Sequence, residues 1–162
     1  MDRSAPTLSA KISWDDFHRD TALLAALLRA VQPCNTLLAI TRGGLVPAAI
    51  VACALDIRRI ETIGLASYDD NNRRGDLERL KPANDIITNQ SAGGQGLLVI
   101  DDLVDSGKTF AYLRQHLPKA HYAAVYAKPE GAAAADTYAV AVEQHVWLDF
   151  PWDKPETAQA DE

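Results

Sequence analysis

Apolar residues in this chain fall into two alternating kinds of pattern. Residues 36–41 (TLLAIT), 97–101 (LLVID) and 122–127 (YAAVYA) are short, nearly unbroken apolar runs bounded by turn formers. Such runs are the pattern of strands buried on both faces, as in a parallel sheet. Residues 59–67, rich in Ile and Thr, predict a further strand, and residues 138–142 and 146–150 predict two more strand-like pieces. Between the strands the spacing turns helical. Ser13 followed three residues later by Asp16 predicts an N-cap, and Trp14, Phe17, Leu24, Leu27, Leu28 and Val31 form a stripe that Pro33 ends. Helices are also expected over residues 46–55, with Pro47 in the first turn, and over residues 109–117. Strands alternating with helices predict an α/β fold, a mostly parallel twisted sheet with helices on both faces.

Several segments fall outside that alternation. Residues 68–96 are long and polar, with Asp69, Asp70, Asn71, Asn72, Arg73 and Arg74 near one end and a small-residue run near the other. A loop of that length in a compact domain reads as a lid. Residues 130–136 are expected to be a small-residue loop. Residues 1–10 and 155–162 read as disordered tails. The chain of 162 residues suits one domain over its whole length.

Composition narrows the partners. A hydrophobic content of 48% with 23% charged residues is that of an ordinary globular protein. The net charge of −6, with no basic stretch, excludes nucleic acid as the main partner. An anionic substrate would have to be attracted by local groups and bound metal, not by the global field. Cys34 and Cys53 have no CxxC spacing and read as reduced, packed thiols. The four histidines show no metal spacing. No early stretch has the form of a signal peptide and no apolar run approaches a membrane span, so a cytoplasmic location is expected.

The chemistry concentrates in residues 97–109, LLVIDDLVDSGKT. Four apolar residues lead into Asp101 and Asp102; Asp105 follows, and then the turn Ser106-Gly107-Lys108-Thr109. Paired acids here sit where an open α/β sheet binds its ligands, outside the carboxyl ends of the strands. The turn can aim backbone N–H groups at an anion, helped by the helix N-terminus. Carboxylates beside a phosphate cradle suit hydroxyls or a magnesium ion, and so a phosphorylated sugar. The letters GKT do not make a nucleotide-triphosphate P-loop. That motif needs glycine five residues before Gly107, where Asp102 stands instead.

The segment VIDDLVDSGKT resembles the phosphoribosyl-pyrophosphate (PRPP) motif of type I phosphoribosyltransferases. TRGGLVPA at 41–48, SYDDNNRR at 67–74, YAKPEG at 126–131 and WLDFPWD at 147–153 are similar, in the same order, to the bacterial xanthine-guanine phosphoribosyltransferases. The resemblance implies the type I fold, with a small hood and a flexible lid loop at 68–96. It implies a purine salvage enzyme that moves the 5-phosphoribosyl group of PRPP to N9 of guanine, xanthine or hypoxanthine, with Mg2+ as cofactor. GMP, XMP or IMP and pyrophosphate would be the products.

Residue by residue, the resemblance assigns Asp101 and Asp102 to the ribose hydroxyls, with Asp102 also supporting the metal. Asp105, Ser106, Gly107, Lys108 and Thr109 would cradle the 5′-phosphate, in a PRPP-binding run that includes Leu103 and Val104. Arg42 and Gly43 would hold the pyrophosphate. Arg74 would reach it from the lid, with Arg73 as the alternative. Asp105 would handle the purine N7 proton as general base or hydrogen-bond partner. Lys128 would meet the purine O6 and so reject adenine. Trp147 would stack on the ring and Leu148 would offer main-chain contacts. Lys108 departs from those relatives that carry a second glycine there. A homo-oligomer is implied, tetramer before dimer, and peripheral association with the inner membrane is compatible with the family. A hypoxanthine-preferring enzyme and a non-catalytic PRPP or nucleotide sensor are the alternatives. The sensor is disfavoured by the acidic charge and the lack of a basic face.

Overall fold

The computed structural model describes residues 8–31, 33–67, 77–79 and 93–153, with residues 66–67 and 77–79 by their backbone alone. Its centre is a sheet built on β2 (Thr36–Thr41), β3 (Arg59–Ser67), β5 (Leu97–Val104), β6 (His121–Ala127) and β7 (Thr137–Ala141), all parallel. A short antiparallel edge strand, β4 (Leu77–Arg79), completes the order β4-β3-β2-β5-β6-β7. The strand bounds expected for β2 and β3 are those observed. The α/β architecture, a mostly parallel sheet with helices on both faces, is the one expected from the alternating pattern.

The central strands are apolar on both sides because each side faces a different core. Successive residues of a strand point to opposite faces. Leu37 and Ala39 of β2, Leu98 and Ile100 of β5, and Ala123 and Val125 of β6 pack under α1 (Trp14–Leu28) and α2 (Leu45–Ala54). The alternate residues Leu38, Ile40, Leu97, Val99, Tyr122 and Ala124 pack under Phe110 and Leu113 of α3 (Lys108–His116). At the start of α1, Ser13 and Asp16 form the expected capping box. The Asp16 amide donates to Ser13 Oγ at 3.1 Å and the Ser13 amide to Asp16 Oδ2 at 3.4 Å.

Four local expectations come out differently. β5 runs past Asp101 to Val104, because β6 continues to pair with it at Leu103↔Tyr126 and Val104↔Ala127. The loop expected at 130–136 opens with one helical turn, α4 (Pro129–Ala132), where Pro129 supplies a first-turn position that needs no N–H. The tail expected over 1–10 contains strand β1 (Leu8–Lys11), held in parallel register by β8 (Val146–Asp149), Leu8↔Val146 through Lys11↔Asp149. Within the span expected as a lid, residues 77–79 pair with β3, and Gly93 and Gly94 accept bonds from Lys119 and Leu97 as the chain turns into β5. The rest of that span, residues 68–76 and 80–92, and the acidic tail at 155–162 lie outside the described residues.

The β1–β8 ribbon is fastened to α1 by aromatic packing. Phe17 meets Phe150 edge-on at 6.0 Å and Trp152 edge-on at 4.7 Å, and Phe150 stacks on Trp152. No helix among the described residues is long and apolar enough to cross a membrane.

Since α1 carries Phe17, Leu24 and Leu28 into the core, loosening its first turn weakens the whole sheet face. Ser13→Ala is expected to cost about 1 kcal/mol in urea unfolding, as loss of an N-cap hydroxyl does.

Candidate active site

The site follows from how the chain leaves the sheet. β2 and β5 are neighbours, but the chain departs from β2 through α2 toward β3 and from β5 through α3 toward β6. The two helices lie on opposite faces. A crevice opens where the connections diverge, at the carboxyl ends of the strands. Arg42 and Gly43 follow β2, Asp101 and Asp102 lie near the end of β5, the turn at 105–109 follows β5, and Lys128 follows β6.

Gly43 shows how closely the β2 loop approaches the acid pair. A Cβ placed on Gly43 would fall on the Asp102 carboxylate, so only glycine leaves that carboxylate its position. The residues expected to hold pyrophosphate and those expected to hold ribose are thus brought together. The acids are tied to their own strand: the Asp102 amide donates to Asp101 Oδ1 at 3.0 Å, and the Leu103 amide to Asp102 Oδ1 at 2.7 Å. Among the described residues neither carboxylate has a cationic partner. Burial, and then the charge of Asp102, push the Asp101 carboxyl well above the usual carboxylate range. Burial also raises Asp102, against the hydrogen bonds from Asp101 and Leu103, and the charge of Asp153 adds to the rise.

The turn after β5 builds a hollow. Asp101, Leu103, Val104, Phe110 and the turn at 105–109 line a cavity of about 120 Å³. Gly107 stands at the N-cap of α3 with φ of 75°, a left-handed backbone that glycine adopts without a Cβ penalty. Lys108 opens the helix with its side chain exposed, while Val104 is buried in the core. The N-terminal turn of α3 therefore faces a small concave space with the hydroxyls of Ser106 and Thr109 and the Asp101 and Asp105 carboxylates among its lining. The helix N-terminus there favours an anion.

Beside that hollow Lys128 is only 6% exposed, and a buried ammonium needs a partner. Its amide donates to the Val104 carbonyl at 3.0 Å, and its Nζ lies 3.4 Å from Asp105 Oδ2. The two residues expected to read the purine thus touch one another. Asp105 Oδ1 accepts a bond of 2.9 Å from Gln144 Nε2, a contact that sequence reasoning missed. On β8 the alternation of the strand turns Leu148 into the core and leaves Trp147 57% exposed. Arg73 and Arg74 lie outside the described residues. Asp153, the last residue of the WLDFPWD segment, was also missed; its charge reaches Asp102 across the fold.

The family described as phosphoribosyl transferase domain matches residues 13–157. The chain belongs to that family. Solved phosphoribosyltransferase structures share its fold. A purine phosphoribosyltransferase from Pyrococcus horikoshii is 22% identical, with a TM-score of 0.73 over 90% of this chain and 95% of its own. The xanthine-guanine-hypoxanthine phosphoribosyltransferase of Helicobacter pylori is 21% identical, with a TM-score of 0.71 over 89% and 93%. A hypothetical protein from Neisseria gonorrhoeae with bound ppGpp is 24% identical, with a TM-score of 0.71 over 92% and 91%.

In this phosphoribosyl transferase, Asp101→Asn keeps the shape of the acid pair and removes one of two adjacent charges. The folded state holds the Asp101 proton more tightly than the unfolded chain does, so ionisation costs stability as the pH rises above about 4. Asp101→Asn is therefore expected to melt higher than the wild type at neutral pH in metal-free buffer. The difference should shrink as the pH falls toward about 4, and thermal unfolding across that range measures it.

Proposed function

We propose that the protein transfers the 5-phosphoribosyl group of PRPP to N9 of a 6-oxopurine, guanine, xanthine or hypoxanthine, releasing pyrophosphate. The observation that carries this reading is the buried Lys128 held against Asp105 beside the phosphate hollow. An ammonium offers three donors and no acceptor, so it can meet an oxygen on C6 but not an amino group. Asp105 beside it accepts, which suits the N7 proton of the same ring. The match to the phosphoribosyl transferase domain, and the purine substrates named for the Pyrococcus and Helicobacter neighbours, support the same conclusion.

The work of the chain is positioning and charge handling. Asp101 and Asp102 would accept from the ribose hydroxyls, and the turn at 105–109 would hold the 5′-phosphate, anchoring both ends of the sugar. Arg42 and the backbone at Gly43, which has no side chain in the way, would face the pyrophosphate, whose departure leaves oxocarbenium character at the ribose C1. Trp147 would carry the purine, Leu148 would offer its main chain, and Asp105 would hold or take the N7 proton as N9 attacks.

Two uncompensated neighbouring carboxylates fit Mg2+, which is held through one or two carboxylates together with substrate oxygens. When bound, the ion would neutralise charge on the leaving pyrophosphate. Asp102 would be its protein ligand.

A purine panel assayed with PRPP tests the reading. Guanine and xanthine are expected to yield their monophosphates and pyrophosphate only when PRPP and Mg2+ are both present. No pyrophosphate release with guanine, xanthine or hypoxanthine would overturn it, and turnover of hypoxanthine with poor use of xanthine would assign the hypoxanthine-preferring alternative. Lys128→Ala is expected to raise the purine KM by about 10- to 100-fold, the worth of one charge-assisted bond, and to relax discrimination against adenine. The KM for PRPP should stay near the wild-type value.

A further inference from the structure

Asp105 is a carboxylate on an exposed turn, yet its two oxygens are held by different groups. Oδ2 faces the Lys128 ammonium at 3.4 Å, and Oδ1 accepts from Gln144 Nε2 at 2.9 Å. The other end of the Gln144 amide is also engaged: its Oε1 accepts from the Glu130 amide at 3.0 Å. The orientation of that amide is unambiguous. A backbone N–H can only donate and an ionised carboxylate can only accept, so oxygen must face Glu130 and nitrogen must face Asp105.

Gln144 therefore joins three segments far apart in the chain. Asp105 belongs to the phosphate turn, Glu130 to the start of α4 just beyond Lys128, and Gln144 to the connection between β7 and β8, three residues before Trp147. A turn carboxylate without such a tether would sample several rotamers, and catalysis by proton transfer depends on holding one.

We infer that Gln144 is a positioning residue for the purine half of the reaction: by gripping Oδ1 of Asp105 it keeps Oδ2 beside Lys128, aimed at the base. The inference rests on the 6-oxopurine reading above and adds a residue to it. The side-chain amide supplies both the donor that Asp105 needs and the acceptor that Glu130 needs, at its two ends.

Two variants separate this role from a merely structural one. Gln144→Met keeps the length of the side chain and removes both polar ends. Gln144→Glu keeps the acceptor for the Glu130 amide but sets a second carboxylate against Asp105. Steady-state kinetics with guanine and PRPP, beside thermal unfolding of each variant, supply the readout. In Gln144→Met, kcat is expected to fall about tenfold, as loss of one hydrogen bond to a charged group predicts, while the KM for PRPP stays within about twofold. Gln144→Glu should fall at least as far, with a melting temperature close to the wild type. On an Asp105→Ala background, Gln144→Met should produce no further loss, because the two act as one unit.

A Gln144→Glu protein with wild-type turnover would overturn the inference and reduce Gln144 to a tie between a loop and α4. Unchanged kcat in Gln144→Met, or a loss confined to the KM for PRPP, would overturn it as well. A wild-type protein that converts no 6-oxopurine removes the purine reading and this inference together. Normal wild-type turnover with unaffected Gln144 variants removes the inference alone.

Discussion

Two carboxylates side by side near the end of a strand that is apolar on both faces place an electrostatic demand on everything around them. Asp101 and Asp102 cannot both ionise there without help, because burial removes water and each charge opposes the other. The surrounding backbone answers only part of the demand, through the amides of Asp102 and Leu103. What remains is a pair of acids that favours hydroxyl donors and a divalent cation, which under the proposed function a PRPP–magnesium complex would supply. The close approach of Gly43 belongs to the same constraint: any larger residue would displace Asp102.

The sheet explains why the other functional groups come to these acids. In a parallel sheet every strand delivers its following loop to the same edge, and the divergence of α2 and α3 opens that edge between β2 and β5. Arg42 and Gly43, the turn at 105–109 and Lys128 arrive there from three neighbouring parallel strands. In a chain of net charge −6, the highly anionic substrate of the proposed function would be drawn by local donors and the positive end of α3 and not by the overall field. Apart from this sheet, the β1–β8 ribbon is pinned to α1 by Phe17, Phe150 and Trp152.

Under the proposed function, Asp105 would tie the sugar-phosphate half of the site to the base half. It stands in the turn that would hold the 5′-phosphate, touches the lysine that would read the base, and is gripped by Gln144 from the connection between β7 and β8. A shift in any one of these segments reaches the others through a single carboxylate.

Patterns that arise from neighbours in the chain were legible without the fold. The alternation of short apolar runs with helical stripes specifies the α/β class, the Ser13–Asp16 box marks the start of α1, and the paired acids before a glycine turn mark the candidate site. Each is a local consequence of side-chain direction or backbone conformation, so the sequence states it directly. The partnership of Leu8–Lys11 with β8 was not legible, because a short polar strand carries no mark of the distant strand it will pair with. Nor was the pairing of Asp105 with Lys128 and Gln144, separated from it by 23 and 39 residues. One-turn α4 and the continuation of β5 to Val104 likewise depend on where β6 lies. The sequence by itself determined which chemical groups this protein carries and the order in which strands present them. Only the tertiary structure decided which of those groups touch, because contact between distant residues is set by the register and the divergence of parallel strands and not by any local preference.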